Sequence, residues 1–226
     1  MTLTIDRDIF TKVVRPFTIS PVCRVNKLYD SLEYVRLNDI LGDFVEAGVF
    51  RGGNILGIMK YLEAHDMTDR HVWLYDTFAG MTAPDPALDK HGNQPPGGHG
   101  EKAYMCSVDD VKRNLSSSQY PEQKMHYIIG DICETLLLKK NIPKKIALLR
   151  LDTDWYASTK MELEVLWPKL VPGGVLIIDD YGHWSGCRKA VDEFFKDRMP
   201  KFEKIDYTCI SCIKEQETKS VEDMLI

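Results

Sequence analysis

One crossover constrains this chain more than any other feature of it. Residues 146–180 read IALLRLDTDWYASTKMELEVLWPKLVPGGVLIIDD. Two apolar runs, Ile146–Leu151 and Val175–Ile178, have the length and β-branched content of buried parallel strands. The segment between them, roughly Ser158 to Lys169, carries Met161, Leu163, Val165 and Leu166 at near-helical spacing, with Leu170 following. Thr159 with Glu162 has the form of a capping box at its start. Pro172-Gly173-Gly174 is expected to stop the helix and turn the chain. A strand–helix–strand crossover in one sheet is right-handed, with its strands parallel. Both strands end in acid, Asp152 and Asp154 on the first, Asp179 and Asp180 on the second. Neighbouring strands lie about 4.8 Å apart. The carboxylates therefore converge at the carboxyl edge of the sheet, where open α/β folds bind ligands. Negative charge so concentrated calls for a cation, and oxygen-only donors suit a hard ion such as Mg²⁺. The competing reading is that Asp154 and Asp180 merely cap helices or turns.

The rest of the chain supplies the layers such a crossover needs. Residues 1–43 read as largely helical, broken at Pro16–Pro21, with Leu28, Leu32, Val35, Leu37 and Leu41 at helical spacing and Gly42 as the stop. Phe44–Val49, His71–Tyr75 and Met125–Ile129 read as strands. Helices follow the first of them to about His65 and run from Ser107 to about Leu115 and from Cys187 to Arg198. Phe202–Tyr207 and Thr208–Ile213 read as two closing strands forming an antiparallel edge. The expected fold is one α/β domain over residues 1–226, a doubly wound, mainly parallel, seven-stranded sheet with an N-terminal helical cap. Residues 79–104 are rich in proline and glycine and too long for a plain connection, so a mobile lid is expected there. The closing segment EQETKSVEDMLI is expected to fray.

Composition excludes several classes. A net charge of −5 leaves no broad basic footprint for nucleic acid. No apolar run approaches about 20 residues, so no membrane span is expected, and the charged N-terminus does not read as a secretory signal. The six cysteines are then expected to be reduced thiols in the cytoplasm. Cys209-x-x-Cys212 has the spacing of a metal knuckle or redox pair, but in a strand residues three apart face opposite ways, and packing thiols are the simpler reading.

Three strand ends carry candidate cofactor groups. Glu46-Ala-Gly48-Val-Phe-Arg-Gly52-Gly53 lets a ligand approach the backbone ahead of a helix N-terminus. Gly48 and Gly52 are four apart, so the dinucleotide spacing G-x-G-x-x-G is absent, which disfavours an NAD-dependent oxidoreductase. The spacing E-x-G-x-x-x-G instead resembles the first motif of S-adenosylmethionine (SAM) methyltransferases. Asp76, at the next strand end, is placed to accept hydrogen bonds from ribose hydroxyls or else to cap a turn. Gly130-Asp131 occupies the third strand end, where methyltransferases of this fold hold the adenine. Trp155, Tyr156, Tyr181 and Trp184 flank the acids and could stack on a sugar or belong to the core. His183 reads as a surface or supporting residue, His91 and His99 as solvent-facing, and Arg150, inside a buried strand, needs an acidic partner.

The segments FVEAGVFRGGN, YDTFAGM, LLRLDTDWYAST and LVPGGVLIIDDYGHWSGCRKAVDEFF resemble the macrocin O-methyltransferase family, from about Asn26 to Phe195. The resemblance implies a class I, Rossmann-like enzyme that transfers a methyl group from SAM to a sugar hydroxyl with the aid of Mg²⁺. It implies Asp152, Asp179 and Asp180 as metal ligands and Asp154 as general base. It places Glu46, Gly48, Asp76 and Asp131 at cofactor positions, and it suggests a homo-oligomer. The Asp85–His99 section of the lid and the Cys209–Cys212 strand depart from the family's pattern, which leaves the acceptor open between a glycosylated natural product and a nucleotide-linked sugar. Asp179-Asp180, where catechol-type O-methyltransferases usually carry Asp-Asn, argues against a phenolic diol as acceptor. Retention of all four acids argues against a non-catalytic SAM-binding protein.

Overall fold

The structure is a computed structural model that describes residues 5–94 and 104–216. Helices α1 (Arg7–Val14) and α2 (Val22–Leu37) precede β1 (Asp43–Ala47), α3 (Gly53–Ala64) and β2 (Val72–Asp76). Then come α4 (Val108–Leu115), β3 (Met125–Ile129), the single turn α5 (Ile132–Thr135) and β4 (Ile146–Leu151). The crossover helix α6 (Tyr156–Leu166) leads to β5 (Leu170–Ile178), and α7 (Ser185–Phe195), β6 (Glu203–Lys204) and β7 (Ile210–Ile213) complete the order. The sheet has seven strands in the order β3-β2-β1-β4-β5-β7-β6. The first five are mutually parallel, while β7 runs antiparallel to β5 and β6 antiparallel to β7. The doubly wound, mainly parallel sheet expected from the sequence is therefore present.

Strand order reverses between β1 and β4, which is where such sheets open a crevice. Ala47 stands level with Leu151, and Leu151 with Ile178. The Asp152 N–H donates to the Ala47 carbonyl at 2.9 Å, and the Asp179 N–H to the Leu151 carbonyl at 2.9 Å. Backbone pairing thus continues one residue past the strands and fixes the two acids side by side. Each face of the sheet buries its own core. Leu28, Leu32, Ile55, Ile58 and Leu62 from α2 and α3 pack with Phe44, Leu148 and Ile177 on one face. Leu163, Leu166 and Val191 from α6 and α7 pack with Val45, Leu149 and Leu176 on the other. Cys209 belongs to the first core and Cys212 to the second, and both thiols are free. Opposite faces account for the pair without metal or redox chemistry.

The structure corrects several local expectations. The crossover helix starts at Tyr156, so Thr159 lies inside its first turn and donates its N–H to the Trp155 carbonyl. Glu162 faces inward and accepts from Thr153 Oγ1 at 2.7 Å, so the capping box does not form. The helix gives way at Trp167–Lys169, a 3₁₀ turn containing Pro168. Pro172-Gly173-Gly174 lies within β5, where pairing to β4 shifts register and the Gly173 N–H donates to the Lys214 carbonyl. On α2, Leu28, Leu32 and Val35 are buried, but Leu37 and Leu41 are exposed because the helix ends at Leu37. The two closing strands are shorter than expected, since Asp206 turns the chain by accepting from the Thr208 and Cys209 N–H groups. Among the described residues, no helix is long and apolar enough to cross a membrane. The terminal residues Met224, Leu225 and Ile226, and His99 in the lid, lie outside the described residues.

Candidate active site

Asp152 and Asp179, at the ends of β4 and β5, share one buried guanidinium. Arg150 is 3% exposed and makes ion pairs with Glu46 at 2.8 Å, Asp152 at 2.7 Å and Asp179 at 2.6 Å. Its burial alone would lower its pKa, but the charges of Asp152, Asp179 and Glu46 raise it well above the usual arginine value. Asp179 also pairs with Arg24 of α2, so both of its oxygens are held by guanidinium groups. Arg24 in turn binds Asp206 at 2.7 Å, which ties the N-terminal helix to the β6–β7 hairpin.

Asp180 points the other way. Oxygens of Asp152, Asp154 and Asp180 lie within 4.8 Å of one another, the arrangement of a divalent cation site. The trio that converges is not the expected Asp152, Asp179 and Asp180, because Asp154 stands in the place of Asp179. Asp154 adopts φ +70°. The Trp155 N–H donates to the Thr153 carbonyl across it at 2.8 Å, a γ-turn of the strained hand that aims Asp154 at Asp180. Burial, with the charges of Asp152 and Asp179, raises the pKa of Asp154, although a hydrogen bond to Asp180 opposes the rise. Burial and the charges of Asp154, Asp152 and Asp179 drive Asp180 well above the carboxylate range. Asp180 Oδ2 is buried with no hydrogen-bond partner among the described residues. Three converging acids, one of them with an unpaired buried oxygen, fit a hard cation.

A cavity of about 390 Å³ opens over the β1/β4 crevice beside these acids. Gly48, Val49, Asp76, Gly130 and Asp131 line it on the cofactor side, Asp152, Asp154, Asp179, Asp180 and His183 on the acidic side, and residues 18–21 with Arg24 close it further. Gly48 sits at φ +83°, and a Cβ there would lie 1.9 Å from the Asp152 carbonyl oxygen. Only glycine lets this loop pass so close to the acidic strand end. Asp76 Oδ2 accepts from the Val49 and Phe50 N–H groups at 2.7 and 3.0 Å, and Oδ1 from Phe78 at 2.8 Å. Phe50 and Phe78 both carry positive φ, at 50° and 52°, so Asp76 staples two strained loops. Thr77 Oγ1 adds a long contact to Oδ1 at 3.5 Å, and Asp76 lines the cavity beside these caps. Burial raises its pKa against those three backbone bonds. Asp131 caps α5 by accepting from the Cys133 N–H at 2.8 Å.

Two candidate cofactor residues lie outside the cavity wall. Glu46 is 1% exposed and spends its bonds on Asn54 and Arg150, beneath the cavity floor. Burial brings its pKa to about 7. Gly52 caps α3 at φ +83° and faces the side chains of Val111 and Leu115. The aromatic residues divide too. Trp155 and Trp184 line the cavity, packed edge to face at 5.0 Å, with Trp155 Nε1 donating to the Thr82 carbonyl. Tyr156 and Tyr181 instead bond to Glu193 and Asp192 of α7. His183 stacks on His91 at 4.1 Å and meets the Tyr207 hydroxyl at 3.0 Å.

The first part of the expected lid is tethered. Asp89, 1% exposed, accepts from the Asp85 and Tyr156 N–H groups and so plugs the start of α6. Ser185 and Lys90 exchange two further hydrogen bonds. Arg24 and Asp89 carry no signal of their own in the sequence, and Glu162 carries a misleading one.

The family model of macrocin O-methyltransferases matches residues 15–214. Demethyldecarbamoylnovobiocin O-methyltransferase of Streptomyces niveus is 34% identical over 180 residues, 78% of this chain and 67% of the relative. Mycinamicin III 3''-O-methyltransferase of Micromonospora griseorubida is 33% identical over 180 residues, 77% of this chain and 68% of the relative. The chain thus spans about two thirds of the length of these relatives. The solved structure of the O-methyltransferase NovP superposes with a TM-score of 0.77 at 29% identity, covering 88% of this chain and 83% of that one. A calicheamicin methyltransferase, 18% identical with a TM-score of 0.69, covers 92% of this chain and 90% of its own and shares the fold. With residues 15–214 matched and the class I sheet and crevice in place, the chain belongs to the macrocin O-methyltransferase family and is a SAM-dependent O-methyltransferase.

Proposed function

We propose that this enzyme methylates a hydroxyl of a sugar, carried by a glycosylated natural product or a nucleotide, with a divalent cation, Mg²⁺, at the acidic cluster. The carrying observation is the convergence of Asp152, Asp154 and Asp180 on the acidic side of the cavity, with Asp180 Oδ2 unpaired among the described residues. A further relative, 34% identical over 174 residues and named for methylating a rhamnosyl-tetracenomycin, supports the acceptor class. Gly48 gives the cofactor its close approach to the backbone, and Asp76 and Asp131 accept from its ribose and adenine ends. Asp152, Asp180 and one oxygen of Asp154 hold the cation. Asp179, placed among the ligands by the family resemblance, braces the cluster through its ion pairs with Arg24 and Arg150. When bound, the cation neutralises the acids and lowers the pKa of a nearby hydroxyl.

The chain's own groups then account for the transfer. Attack requires the acceptor oxygen in line with the sulfonium methyl, so the cavity must fix both partners. Asp154 takes the hydroxyl proton as the O–CH₃ bond forms and the S–CH₃ bond breaks, leaving S-adenosylhomocysteine. Trp155, Trp184 and the tethered segment before Lys90 keep water from that side of the cavity. A methyl-transfer screen with radiolabelled SAM and Mg²⁺, over glycosides, nucleotide-linked sugars and catechols, tests the acceptor class. Label on sugar hydroxyls supports the proposal, and label on catechols alone refutes it.

A further inference from the structure

We infer that Glu162, acting through Thr153, holds the Asp152-Thr153-Asp154 turn in the shape that presents the two acids, and is a positioning residue for the cluster. The inference deepens the reading above and rests on it for the role of that cluster. A non-glycine residue at φ +70° persists only where its surroundings over-determine it. Besides the bond from Asp154 to Asp180, three hydrogen bonds that shape the turn converge on Thr153. Its carbonyl accepts from the Trp155 N–H at 2.8 Å and from Ser158 Oγ at 3.2 Å. Its hydroxyl donates to Glu162 Oε1 at 2.7 Å. Thr153 lines the cavity, yet its hydroxyl is turned away from it, into the protein.

Among the described residues, Glu162 makes no other side-chain hydrogen bond. It is 0% exposed, and its second oxygen is buried with no partner. A buried carboxylate is costly, and in α6 an apolar side chain would pack at that position without the cost. Its single bond reaches the middle residue of the acidic turn. Ser158 and Glu162 lie one helical turn apart on α6, so one rigid element grips both the backbone and the side chain of Thr153. Acids held by a rigid second layer keep the geometry that a cation demands.

The test compares wild type with Thr153→Val, Glu162→Met and Glu162→Gln in the full chain. Binding of Mn²⁺ alone is followed by electron paramagnetic resonance, and S-adenosylhomocysteine by calorimetry. Thr153→Val and Glu162→Met should each weaken Mn²⁺ about tenfold while leaving S-adenosylhomocysteine within about twofold. Glu162→Gln keeps an acceptor for Thr153 and should bind Mn²⁺ within about twofold of wild type. If Glu162→Met does not fold, Thr153→Val decides alone, since it removes the hydroxyl at constant volume. Wild-type Mn²⁺ affinity in Thr153→Val overturns the inference, and so does a parallel loss of S-adenosylhomocysteine. If wild type binds no Mn²⁺, the cation reading falls instead, and a crystal structure of Thr153→Val decides this one. Asp154 leaving positive φ supports it, and Asp154 unchanged overturns it.

Discussion

Replacing Glu162 by glutamine should stabilise the protein at alkaline pH, by an amount set by burial. Glu162 is fully buried and bonded through one oxygen only. Burial raises its pKa from 4.5 to about 8, against the hydrogen bond from Thr153 and with help from the charges of Asp152 and Asp154. The unfolded chain ionises this group near 4.5, so the folded state binds the proton more tightly. Its contribution to stability is complete below pH 4.5 and is lost as pH rises to about 8. Each pH unit between those limits is worth about 1.4 kcal/mol. From pH 6 to pH 9 the wild type should therefore lose about 3 kcal/mol that the neutral glutamine does not. Glu46, whose pKa burial brings to about 7, titrates in both proteins and cancels in the difference. Urea denaturation of the two proteins at pH 6, 7, 8 and 9, with a chelator present throughout, reads the effect directly. Parallel stability curves would refute the reasoning, because they would mean that Glu162 titrates alike in the folded and unfolded chain.

Gly48→Ala forces a Cβ to within 1.9 Å of the Asp152 carbonyl at φ +83°, so calorimetry should show SAM affinity down at least about tenfold. Arg150→Met strands Glu46 and Asp179 as buried charges without a shared partner and should cost about 3–5 kcal/mol in chemical denaturation. Asp76→Ala removes the acceptor for three loop N–H groups and should weaken SAM binding by about 1–3 kcal/mol, whereas tight NAD binding without SAM binding would contradict the cofactor assignment. Asp154→Asn should cut kcat by about 10²–10⁴-fold while SAM still binds. His183→Ala should cost much less and leave the shape of the pH profile intact, and the reverse result would move the base to the histidine.

The parallel sheet was legible because each of its strands is an apolar run ending in a chemically marked residue, as at Asp76, Asp131 and Asp152. Alternation along a strand also separated Cys209 from Cys212 before the structure placed them in different cores. What stayed hidden depends on contacts between distant segments or on backbone strain. Asp179 and Asp180 are adjacent acids that both line the cavity, and only the positions of Arg24 and Arg150 show that the first is already paired while the second joins Asp152 and Asp154. Asp154 joins the trio because it takes a positive φ, which no sequence rule assigns to an aspartate after threonine. Thr159 and Glu162 matched a helix start by spacing, but the helix begins three residues earlier, and that offset turns Glu162 inward. The segment before Lys90 read as free because its tether is Asp89, whose partners lie on α6.

The most direct test of the central claim is methyl transfer by the wild-type enzyme to a glycoside acceptor identified in the screen, measured in excess chelator and after adding back Mg²⁺ or Mn²⁺. The trio of Asp152, Asp154 and Asp180 predicts that transfer stops in chelator and returns with either ion, while S-adenosylhomocysteine binds in both conditions. Undiminished transfer in excess chelator would contradict it and leave the three acids as strand and turn caps.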